Sequence, residues 1–241
     1  MTLCMSDGNG MMPCLETSKV VQVASEVLQD TVELAFGKEE GNWEFLKVKN
    51  NIRICRKKTG SLHTFRGVGK VSYPLEQILP VATCVERYFS FFFLTCECFI
   101  FHSRPSWDPL CKEGKLIRKI DNTYSLVWWS FHGVLVISDR DFCLALAVKE
   151  ISEDGTVCIS TRSVEDASCP SFSGYVRGYA NVAGILLKPC ENSQDTLVTY
   201  IGNVDPKGML PHWAVNIGGE KGAMCIHYLQ CYLEQHAAST G

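Results

Sequence analysis

Six apolar, strand-like runs closed by turn residues fill the stretch from Lys115 to Asp205: KLIRKIDN, TYSLVWWSF, DFCLALAVKE, TVCISTRSV, YVRGYANVAGILLKP and TLVTYIGNVD. Side chains of a strand point alternately to two faces, so such runs predict neighbouring strands more readily than helices. The punctuation is Asp121-Asn122, Glu153-Asp154-Gly155 and Glu191-Asn192-Ser193, residues that favour reversals. Three strands precede them. NWEFLKVKNNIRICRK divides at Asn50-Asn51, a hairpin pair, and LHTFRGVGKVSY supplies the third. Around these strands the spacing is helical. Val20, Val23, Val27, Leu28, Val32 and Leu34 mark a helix from Ser18, its cap, to Phe36, with Gly37 beyond. PLEQILPVATCVERYF opens with helical spacing, and the run from Pro211 to His236 closes the chain with Trp213, Ile217, Ile226, Leu229 and Leu233 as apolar members. Helix, three strands, helix, six strands, helix is the order of an α+β fold. One domain over residues 18–238 is expected, after a disordered tail of residues 1–17.

One stretch stands apart. The Phe-rich run from Tyr88 to Phe101 is interrupted by Ser90, Thr95 and Glu97. A spanning helix needs about 20 mostly apolar residues, and runs of about 10–14 belong to buried or interfacial elements. Residues 85–103 are therefore expected to be an atypical insertion. Their Phe-, Ser-, Leu- and Ile-rich composition resembles a translated splice-acceptor tract.

Composition removes several function classes. The formal net charge is −3, and RICRKK from Arg53 to Lys58 is the one basic cluster, so a nucleic-acid partner is not expected. There are 13 Cys residues. Several sit inside apolar runs, as Cys143 and Cys158 do, and behave there as small hydrophobes. An opening without a basic region followed by an apolar one, with so many unpaired thiols, fits a reducing, cytoplasmic setting. Cys96 and Cys98 form a CxC without a second pair, and His102 does not complete a metal site. No GxSxG, HExxH or GxxxxGK[ST] occurs, so neither an enzyme nor a cofactor is expected.

Six motifs occur in a fixed order: WEFLKVKNNIRICRK from Trp43, TFRGVGKV, Trp107-Asp108, SDRDFCLAL around Arg140, Asp141 and Phe142, GYVRGY with Arg177 and Gly178, and NVDPKGMLPHWAVN from Asn203 to Asn216. In this order they resemble a StAR-related lipid transfer (START) domain over nearly the whole chain. A weaker likeness is to the START module of a giant kinesin-like START protein, which would make the chain a ligand-sensing or interaction module of a larger protein. The resemblance implies a helix-grip fold, a curved antiparallel sheet around a long C-terminal helix, enclosing a tunnel for one lipid. It also implies a monomer that touches membrane surfaces transiently and transfers a sterol or another lipid. Sterol-associated relatives carry an acid–arginine pair at positions that fall here near Val127 or Trp128 and at Leu146. That pair is absent, which makes the tunnel drier and moves polar recognition elsewhere.

From the strand pattern and the resemblance, the tunnel wall is expected to include Trp128, Arg140, Phe142, Leu144, Leu146, Ile159 and Thr199 or Tyr200. Trp128 and Trp129 are adjacent, so one of them faces inward. Arg140 has two open readings, a ligand contact or an ion pair with Asp139 or Asp141. Trp213, Ile217, Gly218, Gly219 and Gly222 are expected to form a lid, together with the loop at Glu153, Asp154 and Gly155. The glycines have a second reading, a helix broken into two pieces or close packing on the sheet, and the loop has one too, a plain hairpin turn. Trp107, Asp108, Asp141 and Arg177 are expected to be structural.

Overall fold

A computed structural model of the chain describes residues 13–37, 43–60, 62–83, 104–133, 137–191, 193–210 and 212–237. The Phe-rich segment 85–103, and residues 1–12 of the expected tail, lie outside the described residues. Helix α1 (Thr17–Phe36) precedes strands β1 (Trp43–Lys49), β2 (Ile52–Thr59) and β3 (Leu62–Val71). Helices α2 (Leu75–Thr83) and α3 (Arg104–Trp107) follow. Then come β4 (Cys111–Lys119), β5 (Tyr124–Phe131), β6 (Arg140–Glu150), β7 (Val157–Ser163), β8 (Val176–Arg177), β9 (Tyr179–Pro189) and β10 (Thr196–Asp205), before α4 (His212–Gly222) and α5 (Cys225–Ala237).

The strands form one sheet in the order β1-β2-β3-β10-β9-β7-β6-β5-β4, antiparallel throughout, with β8 attached in parallel to β6. The β1–β2 reversal uses Asn50 and Asn51, both at positive φ (49° and 60°), as a tight primed hairpin turn requires. Helix α1 buries Val20, Ala24, Val27, Leu28 and Thr31 along one stripe against one face of the sheet. On the other face lie α4 and α5.

Strand β6 shows why DFCLALAV reads as an unbroken apolar run. It is covered on both faces. Cys143, Ala145 and Ala147 face α1 and are small, while Phe142, Leu144, Leu146 and Val148 face the opposite core and are large. Burial of that second set gives roughly 1.5–3 kcal/mol per large side chain.

One expectation is corrected, and one of two open readings is met. The run from Tyr175 to Pro189 is not one strand but two. Val176 and Arg177 pair with Arg140 and Asp141 of β6, and the chain turns at Gly178, whose N–H donates to Asp141 O at 2.9 Å. A methyl group at Gly178 would lie 2.4 Å from the Phe142 ring. The closing run takes the second reading of its glycines and is two helices. Met224 N–H bonds to Lys221 O at 3.0 Å between them, and Ala223 packs directly on β3, where a Cβ added to Gly67 would stand 2.7 Å from Ala223 Cβ. Gly69 is close but less tight, with Ile52 and Ile226 at 3.1 and 3.3 Å from an added Cβ. Two glycines on one face of β3 let α5 approach the sheet backbone.

Candidate functional site

Between the sheet and α4 lies a cavity of about 260 Å³. Phe65 of β3, Trp129 and Phe131 of β5, Phe142 and Leu144 of β6, Ile159 of β7 and Tyr200 of β10 form its apolar walls. Gly218, Gly219 and Gly222 form the α4 side. Such a concave apolar space with few polar groups is the form that small hydrophobic ligands occupy.

Among the expected wall residues, Arg140, Phe142, Leu144, Ile159 and Tyr200 line the cavity. Trp128 does not. It is buried on the α1 face, where Nε1 donates to Asp141 Oδ2 at 2.8 Å and the ring meets Phe172 and Tyr175 edge-on. Its neighbour Trp129 takes the inward position. Thr199 is also displaced, because Val198, Tyr200 and Gly202 occupy the inner parity of β10 and Thr199 the outer. Leu146 points inward but packs in the core outside the cavity lining.

The expected lid divides in the same way. Gly218, Gly219 and Gly222 line the cavity, Ile217 is exposed, and Trp213 belongs to α4. Glu153, Asp154 and Gly155 do not approach it. They form the β6–β7 turn at the far end of β6 from Arg140, roughly 30 Å away at about 3.3 Å per residue. Asp154 accepts from Ser152, Lys188 and both the backbone and hydroxyl of Thr156. These bonds hold its carboxyl well below the usual carboxylate range. This is a fixed turn. The loops at the cavity edge are instead His132–Gly133 with Ile137, and Pro206 with Leu210.

Arg140 joins those two loops. Its guanidinium donates to the carbonyls of Ser138, Pro206 and Lys207. Neither reading of Arg140 as a carboxylate partner applies, since Asp139 pairs with Lys112 and Asp141 with Arg177. Arg177 reaches Asp141 through Nε at 3.0 Å and Nη2 at 2.8 Å, a bidentate pair that fixes β8.

A second polar group was missed from the sequence. Arg104 donates Nε to Asp108 Oδ2 at 3.1 Å, and Asp108 Oδ1 accepts from Leu110 N at 3.0 Å. The guanidinium lies over the rings of Trp129 (4.5 Å), Phe131 (5.4 Å) and Trp107 (5.7 Å). Burial is the strongest influence and opposes its charge, but Asp108, with Cys111 and Cys225 adding to it, leaves the Arg104 pKa above its ordinary value. Beside it, burial pushes the Tyr200 phenol up and the Cys225 thiol up to about 12, so both are protonated near neutrality. Trp107 and Asp108, expected to be structural, also line the cavity. The i, i+4 spacing of Arg104 and Asp108 was the available signal. Among the described residues no cluster suited to a metal ion occurs, and no helix is long and apolar enough to cross a membrane.

Relatives fit this architecture. Human StAR-related lipid transfer protein 5 is 26% identical over 212 residues, covering 86% of this chain and 89% of the relative. The structure of that human protein superposes with a TM-score of 0.76 at 22% identity, over 92% of this chain and 100% of its own. An acetyl-coenzyme A thioesterase of Rattus norvegicus is 28% identical over 137 residues, 54% of this chain, and the match spans 24% of that enzyme. The sequence profile of the START domain matches residues 22–226. With that match, the motif order and the sheet that grips α4 and α5, the chain belongs to the START domain family.

Proposed function

We propose that this chain binds one lipid, a sterol or another amphipath, in the cavity between the sheet and α4, and carries or senses it at membrane surfaces as a cytoplasmic monomer. The observation that supports this reading is the apolar cavity itself, walled by Phe65, Trp129, Phe142, Leu144 and Ile159 and closed by a glycine-bearing helix. Each Å² of apolar ligand surface taken from water contributes about 25 cal/mol. A lipid can therefore be held without covalent chemistry. The ligand enters when α4 moves away from the rings beneath it, and the loops joined by Arg140 frame the opening.

The test is transfer of a fluorescent lipid from donor to acceptor vesicles, with Ala183→Phe filling the cavity from β9. The parent chain is expected to accelerate transfer and the filled variant to lose most of that acceleration. Equal transfer by the two proteins would place the lipid elsewhere.

A further inference from the structure

Helix α1 packs on β5, β6, β7, β9 and β10. The sheet face it lies on continues over β3, β2 and β1, and strand parity identifies the side chains presented there. Ile52 and Ile54 of β2 point into the core beneath α5, so Arg53, Cys55 and Lys57 point to the outer face. The register sets Phe45 of β1 beside Cys55 and Val48 beside Arg53. On the other side of β2, Arg66 and Val68 of β3 pair with Cys55 and Arg53.

This outer face is apolar and cationic at once. Phe45 is 50% exposed and Val48 61%. The Arg53 guanidinium lies over the Phe45 ring at 4.9 Å, and that of Arg66 over the Trp43 ring at 4.5 Å. With Lys57 and Lys70, these make four cations at the outward positions of β2 and β3. Among the described residues no carboxylate stands at an outward position of β1, β2 or β3. Of the acids at the border, Asp30 is held by Arg162 and Asp195 by Lys70, while Glu33 shares a recess with Lys57. An exposed apolar patch set among charges marks an interaction site, and this one favours an acidic partner.

Its width identifies the form of that partner. Three strands about 4.8 Å apart span roughly 10–14 Å, and a helix with its side chains is about 10–12 Å across. The packing of α1 shows that this side of the sheet accepts a helix. A bilayer fits less well. The lipid cavity lies on the opposite side of the sheet, where Met209 and Ile217 are exposed, so a chain exchanging lipid there turns the outer face of β1–β3 away from the membrane.

We infer that the outer face of β1, β2 and β3 receives an acidic amphipathic helix of a partner protein, laid beside α1. Its apolar side rests on Phe45, Val48 and Val68, and its carboxylates stand beside Arg53 and Lys57. The inference goes beyond lipid binding and does not depend on it, because the two surfaces lie on opposite sides of the sheet.

The probe is a peptide of about 18 residues, five helical turns, with Leu at helical spacing and Glu or Gln elsewhere. The control peptide carries Lys in place of every Glu. Binding to the full chain is measured by fluorescence anisotropy, and the site by hydrogen exchange. The acidic peptide is expected to bind about tenfold more tightly than the basic one and to protect β1 and β2. Phe45 and Arg53 are exposed, so Phe45→Ser and Arg53→Glu retain the fold, and each should weaken binding about fivefold or more. Equal affinity for the two peptides, protection confined to other elements, or no loss in either variant would overturn the inference, as would binding of neither peptide. Vesicles of phosphatidylserine and phosphatidylcholine test the other occupant. Loss of vesicle binding in Arg53→Glu, with peptide affinity unchanged, would assign the face to a bilayer and overturn the partner helix.

Discussion

Gly219 of α4 stands directly over the ring of Phe65 on β3: a methyl group at Gly219 would lie 2.2 Å from both Cδ2 and Cε2 of that ring. The neighbouring Gly222 has the same relationship to Tyr200, whose hydroxyl would meet a Cβ at 2.2 Å. Helix α4 therefore rests on the aromatic floor of the cavity with no side chain between them. Gly218, one residue away, has nothing within 4 Å of an added Cβ.

The two positions should respond oppositely to alanine. Gly218→Ala removes a helix penalty of about 1 kcal/mol without a clash and should raise the melting temperature. Gly219→Ala gains the same propensity, but overpacking costs about 1–3 kcal/mol. It should leave the melting temperature unchanged or lower and accelerate hydrogen exchange in α4. Matching shifts in the two variants would show that α4 does not bear on Phe65.

Adjacent tryptophans offer a second contrast. Trp128 gives Nε1 to the buried Asp141, and Trp129 gives its own to no protein atom. Hydrogen bonds to charged groups contribute about 1.5–3 kcal/mol. Trp128→Phe should therefore cost more than Trp129→Phe by about that amount in urea unfolding, since both changes delete the same ring atoms. Equal costs would contradict the assignment of the two side chains to opposite faces.

Acid should weaken the fold through particular carboxylates. Asp139 is lowered by hydrogen bonds from Lys112 and Gly133, Asp154 by Ser152, Thr156 and Lys188, and Asp205, against its burial, by Lys207. A folded pKa below the unfolded value of about 4 adds stability above that value, which is lost as pH falls through the folded pKa. Stability should be nearly flat from pH 7 to 5 and decline below about pH 4. Asp154→Asn should make the decline shallower, as followed by urea midpoints from pH 6 to 3. An unaltered slope would remove Asp154 from this account.

Thiol reactivity provides a map of burial. Cys14 is exposed, while burial pushes Cys158 and Cys225 up to about 12. Iodoacetamide at pH 8 should label Cys14 in the native chain and reach Cys158 and Cys225 only after denaturation, as read by peptide mass spectrometry. Native labelling of Cys225 would mean that the α5 side of the cavity is open to solvent.

Local signals were legible in the sequence, and choices made by tertiary packing were not. Asn50-Asn51 announced its turn because positive φ at two successive positions restricts the residue types. The α+β order followed from spacing alone. The inward choice between Trp128 and Trp129 was hidden, because two adjacent residues of one type satisfy either strand parity. The choice between Thr199 and Tyr200 was open as well, because the residues alone do not set the parity of β10. The glycines of the closing helix signalled its division but not its place, because Gly222 is still helical and the break follows it, where Ala223 meets Gly67. Period-two glycines in TFRGVGKV were the trace of that contact. Arg104 escaped notice although Asp108 stands four residues on, because Trp129 meets it only once β5 and α3 are packed together.

The most direct measurement is native mass spectrometry of the chain purified from cells, alongside Ala183→Phe. The account predicts one lipid per parent chain and little or none in the filled variant, with both proteins folded. A folded parent that takes no lipid even after incubation with vesicles, or a filled variant that retains it equally, would contradict the cavity as the lipid site.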